Sequence, residues 1–188
     1  MIRVFYGKDE FSIHEKIKGI RIAATSSELG DVNAVFLDGK DLSRQELIAT
    51  ASTVPFMSDN RLVIVDNLVK KFEFSRGGVK PKLGDWEGIE KDLKIIPETT
   101  DLIFREGDVN SRNPMIVALK KVAEVQFFQS LRHQEVIGWI IKRADYLNTM
   151  IDRPAAALLA ESIGGDLRIL TTELENLYLY RTCLFYTS

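Results

Sequence analysis

Apolar residues along this chain change their spacing several times, and each change marks an element. Residues 2–6 are β-rich and stop at Gly7, which predicts a first strand. Ile13, Ile17, Ile20 and Ala24 then recur at helical spacing, behind Ser12 and Glu15 placed as a capping box. Residues 26–31 read as a loop and 32–37 as a second strand, closed by Asp38 and Gly39. A second capping box, Ser43 with Glu46, opens the next helix, with Leu42 and Leu47 in the staple positions. Residues 62–65 are an unbroken run, Leu-Val-Ile-Val, as expected of a strand buried on both faces.

Residues 67–84 mix glycine, proline and positive charge and read as a mobile surface loop, its basic part between Arg76 and Lys82. Trp86, Ile89, Leu93 and Ile96 define a helix with Asp85 as its cap. Residues 102–104 make a short strand. Asn113-Pro114 starts another helix with proline at its first position, where no donor is missed, and residues 125–128 make a fifth strand. Beyond Ser130 only helical periodicity remains. Val136, Ile137, Ile140, Ala144 and Leu147 form one face. Asp152 and Pro154 open a second helix, Gly164-Gly165 breaks it, and Leu167, Leu170, Leu174 and Leu177 line a third.

Strands alternating with helices predict an α/β fold with a parallel five-stranded sheet flanked by helices. The expected organisation is an α/β domain over residues 1–130 and a small helical domain over 131–188. Ligands of such sheets sit beyond the carboxyl ends of the strands.

Charge and chemistry narrow this picture. A net charge of −2 does not mark a general nucleic-acid binder. A single cysteine, Cys183, precludes an internal disulfide. The two histidines, His14 and His133, are far apart in sequence and read as surface or capping residues rather than metal ligands. No apolar run reaches the ~18 residues of a membrane span, and the start does not read as a signal peptide, so a cytoplasmic location is expected.

The turn after the first strand is decisive. A phosphate-binding turn needs glycine-rich backbone and a lysine at the helix entrance. Residues 6–12 here read Tyr-Gly-Lys-Asp-Glu-Phe-Ser, with one glycine and two carboxylates that would repel a triphosphate. Asp66, at the end of the apolar run, reads as a capping or turn residue rather than a metal ligand.

The other unusual stretch precedes the third strand. Val54, Pro55, Phe56 and Met57 are apolar yet form no strand, because Pro55 removes a donor and pushes Val54 out of the helical region. Ser58, Asp59 and Asn60 then turn the chain. Phe56 is either tucked under the sheet or displayed to a partner.

Taken together, these stretches resemble the delta subunit family of bacterial DNA polymerase III, the clamp-loader wrench. The resemblance rests on residues 6–11 with Glu15, on Phe36-Leu37-Asp38-Gly39 with Leu42, Ser43, Glu46 and Leu47, and above all on residues 53–65. It continues through Trp139-Ile140, residues 165–170 and residues 173–180. It implies an AAA+-like fold that has lost its nucleotide site, hence no catalytic residues, no cofactor and no metal. It implies a non-catalytic subunit that binds the sliding clamp (the beta subunit) and favours its opening for loading on DNA during replication. In the family a hydrophobic pair, commonly Leu-Phe, plugs a pocket on the clamp; the matching positions are Pro55 and Phe56, with Val54 and Met57 beside them. The other implied partners are the gamma/tau and delta prime loader subunits and, through the assembled loader, primer-template DNA; no membrane is implied. The family also has a helical collar domain, which this chain is expected to lack, ending where that domain should begin, and residues 181–188 match nothing in the family pattern. Two rival readings are a nucleotide-binding AAA+ ATPase, which needs a phosphate loop, and an unrecognised doubly wound enzyme, which needs a polar pocket at the strand ends.

Overall fold

The computed structural model describes residues 1–24, 30–74 and 81–185. They divide into two compact units, Met1–Gln129 and Ser130–Ser188.

The first unit runs β1 (Ile2–Gly7), α1 (Glu10–Ala24), β2 (Ala34–Asp38), α2 (Arg44–Ser52), β3 (Arg61–Asp66), α3 (Ile89–Leu93), β4 (Thr100–Arg105), α4 (Pro114–Leu119) and β5 (Glu124–Phe128). All five strands are parallel, in the order β2-β3-β4-β1-β5. This is the parallel α/β sheet with flanking helices that the alternation predicts. Side chains alternate between two cores. Val4, Tyr6, Val63, Val65, Leu102 and Phe104 pack with Leu47 and Ala51 of α2, Ile89 and Leu93 of α3, and Met115 and Ile116 of α4. Phe5, Leu62, Ile64 and Ile103 pack on the other face with Ile13 and Ile17 of α1. Fully burying each such side chain contributes about 1.5–3 kcal/mol. Leu42, Leu68, Val69 and Phe72 from the connections join the first of these cores.

Several local expectations shift. Helix α1 starts a turn early because Asp9, not Ser12, caps it: its Oδ1 accepts the Ser12 amide at 2.9 Å. A carboxylate at the strand exit meets the helix N-terminus first. The second strand begins at Ala34 rather than Val32, since residues Gly30–Asn33 form a 3-10 turn. Of the loop expected at 26–31, residues 26–29 lie outside the described residues. The stretch after Asn67 is not all surface loop. Val69–Phe72 is a 3-10 turn, with Leu68, Val69 and Phe72 buried and Asn113 Nδ2 donating to the Val69 and Phe72 carbonyls at 3.1 and 2.8 Å. The expected basic loop falls mostly on residues 75–80, outside the described residues. Helix α3 is shorter than its apolar spacing suggests. Asp85 belongs to a separate 3-10 turn, and Gly88, at φ 76°, breaks the run and stands at the N-cap. Both other caps are as the spacing predicts: Ser43 accepts from the Glu46 amide at 3.1 Å, and Asn113 from Met115 at 2.9 Å.

The second unit contains α5 (His133–Tyr146), α6 (Arg153–Ile163) and α7 (Leu167–Phe185), which pack on one another. Val136, Ile137, Ile140 and Ala144 of α5 are buried, with Ala156 and Ala160 of α6 and Leu167, Leu170 and Leu174 of α7. Asp152 caps α6 by accepting the Ala155 amide at 2.8 Å. Among the described residues, no helix is long and apolar enough to cross a membrane.

Candidate functional site

The carboxyl end of the sheet, where ligands of such folds bind, is closed by the chain's own groups. The Gly7 amide donates to the Gly107 carbonyl at 3.0 Å, and the Asp9 amide to the Phe128 carbonyl at 3.2 Å. Gly7 sits at φ 138°, and a Cβ there would lie 2.0 Å from the Phe128 oxygen, so the turn is pressed onto the end of β5. The Asp9 carboxylate occupies the N-terminus of α1, where an anionic ligand would otherwise be favoured. Lys8 pairs with Asp108 at 3.6 Å, both well exposed, an arrangement that adds little stability.

Other charges at this end are similarly engaged. Asp66 receives both the Nε and an Nη of Arg105, the former at 2.7 Å. The Asp66 carbonyl accepts the Gly39 amide at 2.6 Å, which makes Asp66 a strand-end tie in the turn role its sequence suggests. Glu106 escaped the sequence reading. It is 2% exposed; its Oε1 accepts the Val69 amide at 2.8 Å, and Oε2 is buried with no hydrogen-bond partner. Burial pushes its pKa from 4.5 up to about 7, against the opposing pull of the Val69, Leu68 and Lys70 amides. Among the described residues no cluster of His, Cys, Asp or Glu has a metal-binding arrangement.

The amino end of the sheet is different. The connection from α2 to β3, residues 53–60, displays three apolar side chains: Val54 is 77% exposed, Phe56 60% and Met57 76%, while Pro55 is half-buried. All four sequence-predicted site residues thus lie on one loop, three of them open to solvent. The root of the loop is fastened. A helix ends with carbonyls that lack intrahelical partners, and three of those closing α2 are taken by side chains. Thr53 Oγ1 donates to Ala49 at 2.9 Å, Arg61 Nε to Thr50 at 3.2 Å, and Thr100 Oγ1 to Ala51 at 2.9 Å. The middle of the loop is held by Asn33, 2% exposed, at the end of the 3-10 turn before β2. Its Oδ1 accepts the Phe56 amide at 2.7 Å and its Nδ2 donates to the Phe56 carbonyl at 2.8 Å. Met57 follows with φ 47°, a left-handed conformation uncommon outside glycine, and this turns the chain toward β3. The sequence gives no sign of Asn33's part, because its partner lies 23 residues away.

Fold and site together define a doubly wound α/β protein that presents an apolar loop at one end of its sheet and has its own groups filling the other. The comparisons with known proteins make this specific. Residues 4–128 match the family described as DNA polymerase III, delta subunit, and the chain belongs to that family. It is 26% identical over 181 residues to DNA polymerase III subunit delta of Bacillus subtilis (strain 168), a match covering 92% of this chain and 50% of that protein. The solved structure of the Bacillus subtilis DNA clamp loader delta protein superposes with a TM-score of 0.73 at 23% identity, covering 95% of this chain and 53% of that one. The chain thus spans about half the length of the curated relative it matches.

Proposed function

We propose that this chain is a non-catalytic clamp-loader subunit that docks on the sliding clamp through Val54, Pro55, Phe56 and Met57 and favours clamp opening for loading on DNA. The observation behind this reading is a fastened loop that still exposes Phe56. Burying an apolar side chain in the unit's own core is favourable, so a loop built to leave one outside has a partner to offer it to. An aromatic entering a pocket is the usual hot spot of such an interface. Docking through it acts by population shift: binding energy selects the open clamp, and no bond chemistry is required. The committed amides of Gly7 and Asp9 support a subunit that works without bound nucleotide. The gamma/tau and delta prime subunits, and primer-template DNA through the assembled loader, complete the partner set.

The experiment is a titration of this chain with purified bacterial sliding clamp, beside the same titration of Phe56→Ala. Saturable binding that the substitution weakens, with an unchanged circular dichroism spectrum and melting curve, is the expected result. No binding by the unaltered chain, or full binding by the variant, would overturn the reading.

A further inference from the structure

We infer that Asn33 is the positioning residue of the docking loop, a clasp that holds Phe56 ready before any partner arrives. The inference rests on the docking reading above and adds a residue to it. One side chain makes both hydrogen bonds of the Phe56 peptide groups, accepting from its amide at 2.7 Å and donating to its carbonyl at 2.8 Å. It thereby supplies what a neighbouring strand would have supplied, to a residue that belongs to no strand. A side-chain amide offers an acceptor and a donor side by side, as this pairing requires. Asn33 is itself immobilised by burial, being 2% exposed and directly ahead of β2. Phe56 contributes only backbone to the clasp, and the residue stays 60% exposed. The bonds therefore fix where the ring is presented without consuming its surface.

Pre-organisation of this kind raises affinity by removing the ordering cost of binding. If opening the clasp leaves the loop in its docking conformation a tenth of the time, apparent clamp affinity falls about 10-fold. That loss requires the Phe56 ring. Asn33→Ala in a Phe56→Ala background then costs clearly less than it does in the unaltered chain, a coupling that a merely structural role would not produce.

Three measurements on the full chain test this. Amide hydrogen exchange of the unaltered protein reports the clasp without any substitution, and the Phe56 amide is expected to exchange on the order of 100-fold more slowly than an open chain. Clamp titrations of Asn33→Ala, Phe56→Ala and the double variant complete the cycle, with melting curves to confirm folding. Asn33→Asp, which sets a buried carboxylate oxygen against the Phe56 carbonyl, is expected to lose at least as much affinity as Asn33→Ala. Open-chain exchange at Phe56, or losses from the two substitutions that simply add, would overturn the inference. Unaltered clamp affinity in Asn33→Ala beside a weakened Phe56→Ala would overturn it alone, leaving the docking reading standing. Unaltered affinity in Phe56→Ala would overturn both.

Discussion

At the carboxyl end of β1 the chain turns into α1 with its amides bonded inward, to Gly107 and Phe128, and with the Asp9 carboxylate resting on the helix start. At the amino end of β3 the chain leaves α2 with its backbone held from outside, by Thr53, Arg61, Thr100 and Asn33, and with its apolar side chains facing water. Both connections are fastened, but different groups are left over. The first leaves surface charges such as Lys8 and Asp108 that pair with each other; the second leaves Val54, Phe56 and Met57. Ligands of a parallel α/β sheet usually lie beyond the carboxyl ends of its strands, and here the exposed apolar side chains lie at the other end. An end whose donors and charges are satisfied internally offers little to a phosphate, while an end that displays an aromatic on a fixed backbone offers a protein partner a hot spot.

The sharpest way to break this contrast is Phe56→Ala. Truncating a desolvated aromatic anchor costs on the order of 2–4 kcal/mol of binding. Clamp affinity should therefore drop by roughly 30- to 1,000-fold. Because Phe56 is 60% exposed, the melting temperature should hardly move. A variant that binds normally would remove the amino end from the comparison.

The carboxyl end answers to pH. Glu106 has a folded pKa of about 7, above its ordinary 4.5, because burial disfavours the carboxylate. The folded state therefore keeps the proton across that window while the unfolded chain releases it. Stability is highest below pH 4.5 on this account, falls as pH rises to 7, and is level above. A shift of this size corresponds to a loss on the order of 3 kcal/mol. Glu106→Gln keeps an oxygen for the Val69 amide and carries no charge, so it should be the more stable protein at pH 8 and show little pH dependence between 5 and 8. Urea unfolding at both pH values measures this; equal slopes with pH for the two proteins would count against it.

Asp9→Ala tests whether the filled helix start is structural. Losing an N-cap carboxylate costs about 1 kcal/mol, readable as a lower urea midpoint. Calorimetric titration with Mg-ATP should give no heat beyond dilution in either protein, since the Gly7 and Asp9 amides stay bonded to Gly107 and Phe128. Saturable micromolar binding of ATP would overturn the reading of this end.

Much of this was legible in the sequence, and the exceptions share a cause. Periodicity found every strand of the sheet, because residues such as Leu62 to Val65 are buried on both faces and their apolar run is local information. The caps at Ser43 and Asn113 were legible for the same reason, since cap and partner lie within three residues. Ser12 is not the cap of α1, because β1 ends at Gly7 and Asp9 meets the helix start first, its carboxylate accepting the Ser12 amide. The four loop residues stood out as apolar positions in a turn. The groups that hold Phe56 and Glu106, Asn33 and the Val69 amide, lie 23 and 37 residues away, contacts that no local pattern encodes.

The smallest effects concern which neighbour shares the anchor with Phe56. Pro55 is half-buried and rigid, and is expected to shape the loop more than to fill a pocket. Val54 and Met57 are both more exposed than Phe56 itself. Met57 is the longer and more adaptable, able to fill an irregular gap beside the aromatic, and its left-handed backbone sets it apart from the path of Val54. Met57→Ala should weaken clamp binding about 5-fold, near 1 kcal/mol, Val54→Ala less, and Pro55→Ala only as far as it loosens the loop. All three should leave the urea midpoint close to that of the unaltered chain. Competition titrations against the unaltered chain resolve differences of this size. A larger loss for Pro55→Ala than for Met57→Ala would make proline the second anchor and restore the family's adjacent pair at these positions.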